Sequence, residues 1–101
     1  MWVFLNNAFL SIVQHRDDNS QLLVRARIAS DIERVFPDAK TFTDNHADYK
    51  YRAVIPRAEV AKAMATQVEG INYDNFKNSV HDTSRHDAYL GVWSVMSRTQ
   101  K

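Results

Sequence analysis

Residues 21–36, QLLVRARIASDIERVF, change from a strand pattern to a helix pattern within one short stretch. In the first part the side chains alternate with the period of two that is typical of a β-strand. The predicted core face carries four apolar side chains, Leu22, Val24, Ala26 and Ile28. Arg25 and Arg27 share the opposite face, so this strand is expected to present positive charge away from the core.

The second part of the stretch predicts a short helix. Ser30 and Glu33 have the spacing of a capping box, in which the hydroxyl and the carboxylate each accept a hydrogen bond from a free backbone amide. Pro37 is expected to end the helix because proline cannot donate the next backbone hydrogen bond. The apolar stripe of this helix is Ile32, Val35 and Phe36.

Three other stretches have strand character. WVFL (2–5) and AFLSIVQH (8–15) are rich in β-branched and aromatic residues, and Asn6-Asn7 between them can adopt the positive φ of a tight hairpin or of a bulge. RDDNSQ (16–21) predicts the next turn, and YKYRAVI (49–55) predicts another strand. On that strand one face is predicted to carry Tyr49, Tyr51, Ala53 and Ile55, and the other Lys50, Arg52 and Val54. In the polar segment between, Phe42 has no assigned position.

From Pro56 onward the apolar period becomes about 3.6, which predicts helices. One helix carries Val60, Met64, Val68 and Ile71, and Gly70 is expected to end it. Asn72 is predicted to cap a second helix with Tyr73, Phe76 and Val80, and Ser84 with Asp87 a third helix with Tyr89, Leu90, Trp93 and Met96. The predicted fold class is α+β: a small, mainly antiparallel sheet of about three to four strands with helices on one face and a helical C-terminal half. With no linker-like segment, residues 1–101 are expected to form a single domain.

Composition excludes several classes of protein. Apolar residues make up 45% of the chain and charged residues 25%, as in folded globular proteins. The net charge of +1 gives no overall attraction to nucleic acid or membrane, so any such affinity must come from local clustering. The absence of cysteine excludes disulfides, a thiolate nucleophile and sulfur-ligated zinc. The N-terminus lacks the basic region and cleavage site of a signal peptide, so a cytoplasmic location is expected.

Basic side chains are predicted to cluster on the sheet face that the helices leave uncovered. The predicted nucleic-acid or phosphate-binding set is Arg25, Arg27, Arg52, Lys50, His15 and Arg16. Guanidinium groups bind phosphate through a planar pair of donors, and each neutralised phosphate releases counterions. The expected partner is nucleic acid or a nucleoprotein complex. The alternative is a solvated face whose arginines pair with nearby carboxylates, Asp17, Asp18, Glu33 or Asp48.

An enzyme is the third possibility. The chain has no Gly-rich phosphate loop, GxSxG elbow or HExxH motif. The four histidines are His15, His46, His81 and His86. None of them has a histidine partner four residues away, so no metal site and no cofactor are expected. A metal-independent nuclease using His81 or His86 with Lys77 and an arginine is a weaker alternative, and no catalytic residue is assigned.

The last predicted helix offers a second binding surface. Its large side chains Tyr89, Trp93 and Met96 are typical anchors of a partner or homodimer interface, although such a stripe more often belongs to a core. The helix has few basic residues on its polar face, so attachment to a membrane is not expected.

Four stretches, AFLSIVQHR, LLVRAR, DIERVFP and YDNFKNSV, together resemble a family of small uncharacterised bacterial and phage proteins. The resemblance extends over nearly the whole chain and implies a single-domain protein; it does not indicate any activity and identifies no catalytic residues. A short chain of this type also suits an inhibitor that occupies a host complex, as anti-CRISPR proteins do. The rival hypothesis is therefore a protein-interaction module that binds a host protein through its C-terminal helix.

Overall fold

A computed structural model describes all 101 residues, and the chain divides into two compact units. The first unit is Met1–Ile71 and the second is Asn72–Lys101. The first holds a sheet with two α-helices, and the second is helical, so the predicted α+β class is confirmed. The single-domain organisation stays a prediction. No helix in either unit is both long enough and apolar enough to cross a bilayer.

The first unit is built on a five-stranded antiparallel sheet with the strand order β1-β2-β3-β5-β4. Its strands are β1 Trp2–Phe4, β2 Phe9–Gln14, β3 Gln21–Ala26, β4 Phe42–Thr43 and β5 Tyr51–Pro56. The hairpin at Asn6-Asn7 and the turn before β3 are where the sequence predicts them. The sheet has one strand more than the predicted range, because β4 is only two residues long and lies within a polar segment.

Two helices, α1 Asp31–Val35 and α2 Arg57–Glu69, pack on one face of this sheet. The core consists of Leu10, Ile12, Val24, Ala26, Ile32, Phe36, Ala53, Ile55 and Val60. As predicted, Val24 and Ala26 of β3 point into this core. Ile28 does not and is exposed, because β3 ends at Ala26 and the alternation ends with it. The residues that alternate with the core positions, including Arg25, lie on the opposite face.

Helix α1 begins differently from the prediction. Ser30 has a left-handed backbone conformation, with φ of 75°, and its side chain makes no capping hydrogen bond, so the capping box with Glu33 is wrong. The buried Asp31 carboxylate instead accepts hydrogen bonds from the Phe9 backbone amide at 3.0 Å and from Arg34 Nη1 at 2.6 Å. This carboxylate therefore ties the start of the helix to strand β2.

The second unit contains a 3₁₀ turn at Lys77–Ser79 and helix α3 Thr83–Ser97. The Asp82 side chain caps α3 by accepting a hydrogen bond from the Arg85 amide at 2.9 Å, so the capping box predicted at Ser84 is wrong. Tyr89 stacks on Phe76, with ring centres 5.8 Å apart. The longer helix predicted from Asn72 is reduced to the 3₁₀ turn.

Both predicted helical stripes are only partly buried. In α2, Val60 is buried and Met64 half-buried, whereas Val68 is exposed. In α3, Tyr89 is buried, whereas Trp93 and Met96 lie in solvent. A helical period therefore predicts the helices correctly but overestimates how much of each stripe is covered.

Candidate nucleic-acid interface

The sheet face opposite α1 and α2 carries one continuous row of residues that crosses all five strands. Strand pairing places these residues directly opposite one another in the order Trp2, Ser11, Arg25, Arg52 and Phe42. Directly paired residues of an antiparallel sheet point to the same face. The row, defined by these five residues, therefore has two arginines at its centre and an aromatic ring at each end.

Arg25 is held in a defined position at the centre of the row. Its Nη2 donates a 2.7 Å hydrogen bond to the hydroxyl of Ser11, which is itself buried. Its guanidinium carbon lies 4.6 Å from the centre of the Tyr49 ring, within cation–π range. The Nε atom is buried and has no hydrogen-bond partner, an arrangement that costs about 1–3 kcal/mol. This side chain is thus fixed in place and only partly satisfied by the protein.

Arg27 lies over the same tyrosine. Its guanidinium carbon is 4.2 Å from the Tyr49 ring centre, and its Nη1 donates to the backbone oxygen of Asp48 at 2.8 Å. The contact with Asp48 uses the carbonyl and not the carboxylate. Tyr49 precedes β5 and lies under the two arginines, so its predicted place in the strand alternation with Tyr51 is wrong.

The arginines of this face have no acidic partner. Arg52 is half-buried, and its Nη1 is 3.5 Å from the Tyr49 backbone oxygen, at the outer limit for a hydrogen bond. Neither Arg25, Arg27 nor Arg52 forms an ion pair with a carboxylate. Lys50, which precedes β5, is exposed, and its Nζ is 5.5 Å from the ring centre of Tyr51, which is paired with Ala26 and packs against the core, so this contact does not bring Lys50 to the row. The alternative of an internally paired arginine face is therefore not what the structure shows.

Arg25 and Arg52 are direct cross-strand neighbours, and neither forms an ion pair with a carboxylate. Like charges directly opposite each other destabilise a sheet, whereas opposite charges stabilise it. The pair concentrates positive potential at the middle of the sheet although the chain has a net charge of only +1. This arrangement can attract a bound anion, which would supply the missing negative charge.

The aromatic ends of the row were not among the residues that the sequence singled out for this face. Trp2 is 67% exposed and contacts Phe9 edge to face at a centroid distance of 6.4 Å. Phe42, at the other edge, is 49% exposed. The register of the Asn6-Asn7 hairpin could have placed Trp2 opposite Ser11. The sequence pattern could not have assigned Phe42 to this face, because β4 is only two residues long and too short to show strand alternation.

His15 and Arg16 are not brought to the row. They lie at the turn after β2, where the His15 amide donates to the Gln21 oxygen at 3.1 Å. His15 is four residues beyond Ser11, or about 13 Å along an extended strand. An apolar row of Val13, Leu23 and Val54 lies between them. Arg25, Arg27 and Arg52 therefore form the basic part of the site, and His15, Arg16 and Lys50 are not part of it.

Neither a metal-binding cluster nor the pocket of the first unit lies at this surface. No group of three or more His, Asp or Glu side chains is arranged to hold a metal ion. A pocket of about 650 Å³ in the first unit lies between the segment after α1 and helix α2, and its lining includes Phe36, Lys40 and Lys62. It contains no histidine and none of the arginines of the row.

The alternative interface in the second unit has two exposed members and one buried one. Trp93 is 55% exposed and Met96 58%, whereas Tyr89 is buried and its hydroxyl is 3.4 Å from Arg85 Nη1. The Lys77 ammonium lies 5.0 Å from the centre of the Trp93 ring. Only Trp93 and Met96 are therefore accessible to a partner.

Comparison with known proteins identifies no relative. No protein-family model, curated protein sequence or solved structure matches this chain, so the geometry of the sheet face is the basis for assigning a function.

Proposed function

We propose that this protein is a non-enzymatic binding protein whose basic sheet face contacts nucleic acid, either free or in a nucleoprotein. One observation carries the proposal: Arg25 and Arg52 are paired across neighbouring strands with no carboxylate beside them. Arg27 extends the positive surface, because its guanidinium shares the Tyr49 ring with that of Arg25. A cytoplasmic location, in which nucleic acid is accessible, is part of the proposal and is compatible with the absence of cysteine.

Phosphate is the ligand that fits this pair of charges. An oxyanion between the two guanidinium groups would accept charge-assisted hydrogen bonds from both and would remove their mutual repulsion. Arg25 is already oriented by Ser11 and Tyr49, so little side-chain freedom is lost when the anion binds. Because the net charge is only +1, attraction to a polyanion must come from this surface and be short-ranged.

The test is fluorescence-anisotropy binding of labelled DNA and RNA at several salt concentrations. Because the face has three arginines, the slope of log K against log salt for a single strand should be about −2 or shallower. Arg52→Met should weaken binding about 10-fold and reduce the magnitude of the slope by about 0.7.

Arg57→Met is the matched control. It removes the same charge from the same unit, but Arg57 lies outside the row and bonds to the Asn19 oxygen and to Gln14. Its affinity should stay within about 2-fold of wild type. Equal losses in the two variants, or no binding at low salt, would contradict the proposal.

The exposure of Trp93 and Met96 favours a second candidate function, a protein-interaction module. The partner would be a host protein complex, as for an anti-CRISPR-like phage inhibitor, or a second copy of the chain. Trp93→Ala should then abolish association while leaving the protein folded, because the side chain is more than half exposed. Light scattering of the purified protein tests self-association, and a pull-down of host proteins tests the other partner. A large loss of stability in Trp93→Ala would instead show that the residue is structural.

A further inference from the structure

The two aromatic residues at the ends of the row point to the class of nucleic acid. We propose that the surface binds single-stranded rather than duplex nucleic acid, with bases stacked on Trp2 and Phe42 and phosphate held between Arg25 and Arg52. This inference rests on the proposed function and deepens it.

The exposure and placement of the rings favour a single-stranded ligand. Trp2 and Phe42 lie on the two edge strands, on the same face as the arginines, and are 67% and 49% exposed. With neighbouring strands about 4.8 Å apart, the two ends of the row are separated by about 19 Å. Aromatic rings bind nucleic acid by stacking on bases, and only unpaired bases have accessible faces. Two exposed rings beside a cationic centre can therefore stack on the bases of a single strand, whereas the paired bases of a duplex offer them no accessible face.

The width of the surface is too large for the groove of a duplex. The major groove of B-DNA is about 12 Å wide and admits a helix or a two-stranded ribbon. A five-stranded sheet with a row about 19 Å long cannot enter it with this face. A duplex could only touch the face from outside through its phosphates, and the aromatic ends would then contact nothing. A flexible single strand can follow the row from one edge of the sheet to the other.

The number and position of the cations also favour a single strand. Non-specific duplex binding depends on neutralising many phosphates. This face offers three arginines, and Arg25 is tied to Ser11 and Tyr49, so it cannot swing toward a distant phosphate. So few fixed charges would bind a duplex only weakly, but they are sufficient to hold a single strand whose bases also stack on the rings.

The experiment compares wild type with Trp2→Leu and Phe42→Leu. Leucine keeps an apolar side chain but removes the stacking plane. The probes are labelled single-stranded DNA and RNA of about 12 nucleotides and the corresponding DNA and RNA duplexes, read by anisotropy at low salt. Each substitution should weaken single-strand binding by between about 5-fold and about 150-fold and leave any duplex binding unchanged. Trp2→Phe retains a ring and should restore most of the affinity.

Trp93→Leu is the matched control, because it removes the other exposed tryptophan, which lies in the second unit and outside the row. Its affinity for single strands should equal that of wild type. The variant also leaves Trp2 as the single tryptophan, so stacking should quench its emission with the same dissociation constant that anisotropy gives.

The outcomes separate this inference from the proposed function. Duplex binding as tight as single-strand binding overturns the single-strand inference, and so does unchanged single-strand affinity in both Trp2→Leu and Phe42→Leu. If binding in these cases still requires Arg52, the proposed function stands. Failure of every probe to bind wild type overturns both.

Discussion

Replacing Arg52 with methionine should stabilise the protein at low salt even though it removes a half-buried side chain. Arg52 faces Arg25 directly across the strands and has no carboxylate partner. Methionine keeps most of the aliphatic packing of the arginine stem while removing the charge. The substitution therefore removes the unfavourable charge contact and leaves the apolar contacts largely in place.

The magnitude follows from cross-strand geometry. Directly paired side chains have Cβ atoms about 5 Å apart, and we take about 6 Å for the guanidinium groups. Two unit charges at about 6 Å repel by roughly 0.7 kcal/mol in a water-like dielectric and by roughly 2.8 kcal/mol at an effective dielectric of 20. The hydrogen bond that is lost, from Arg52 Nη1 to the Tyr49 oxygen, is long at 3.5 Å and contributes little. We expect a net gain of about 0.5–1 kcal/mol at low salt.

The assay is urea unfolding followed by tryptophan fluorescence, at about 0.01 M and about 1 M ionic strength. The Debye length falls from about 30 Å to about 3 Å between these conditions, so the gain should nearly vanish at high salt. A Trp93→Phe background makes Trp2, in the first unit, the reporter of the unfolding of the sheet.

Arg57→Met is again the control, because it lowers the net charge equally. It breaks hydrogen bonds of 2.9 Å to the Asn19 oxygen and 3.0 Å to Gln14, so it should destabilise by about 0.5–1 kcal/mol at either salt concentration. A loss above about 1 kcal/mol in Arg52→Met, or a gain that persists at high salt, would refute the proposed repulsion between Arg25 and Arg52.

Two other predictions concern carboxylates outside the row. Asp31→Ala should destabilise the protein by about 1–3 kcal/mol in urea unfolding, because the Phe9 amide loses its acceptor. Arg34→Ala should destabilise it less, since Arg34 is exposed. Equal effects of the two substitutions would contradict the role of Asp31 as the anchor of α1. Hydrogen bonds from the Ser20 hydroxyl and amide lower the pKa of Asp18, so Ser20→Ala should raise it toward its ordinary value in an NMR titration. This contribution to stability is present above the unfolded-state pKa and is lost as the pH falls through the folded-state pKa; an unchanged Asp18 pKa in Ser20→Ala would contradict the assignment.

Alternation along β3 predicted the face on which the arginines lie, because a strand buried on one side must place every second side chain on the other. Val24 and Ala26 are in the core and Arg25 is on the outer face, as expected. The same reasoning on β5 placed Arg52 beside them. Local periodicity therefore predicted the faces of Arg25 and Arg52, whereas Arg27 lies beyond the end of β3, where alternation does not apply.

What the sequence could not supply were features set by register and by irregular chain segments. Tyr49 lies just before β5, so strand alternation does not apply to it, and its ring contacts Arg25 and Arg27. Phe42 joins the row only because a two-residue strand pairs with β5. Whether the arginines had carboxylate partners was open as well, since several aspartates are close in sequence. The position of Tyr49, the pairing of Phe42 and the absence of carboxylate partners all depend on contacts between residues that are distant in the chain.

The composition of the row explains why these features belong together. A sheet face selected for stability alone would carry side chains of opposite charge, such as an arginine and a carboxylate, at positions 25 and 52. Exposed rings such as Trp2 and Phe42 contribute little to the stability of the isolated protein. The cation pair is unfavourable for the isolated protein, and the exposed rings have no role in its core. Both would be used by a ligand that carries negative charge and flat apolar surfaces alternately along its length. A single-stranded nucleic acid has that pattern, so the proposed ligand would account for both features of the row.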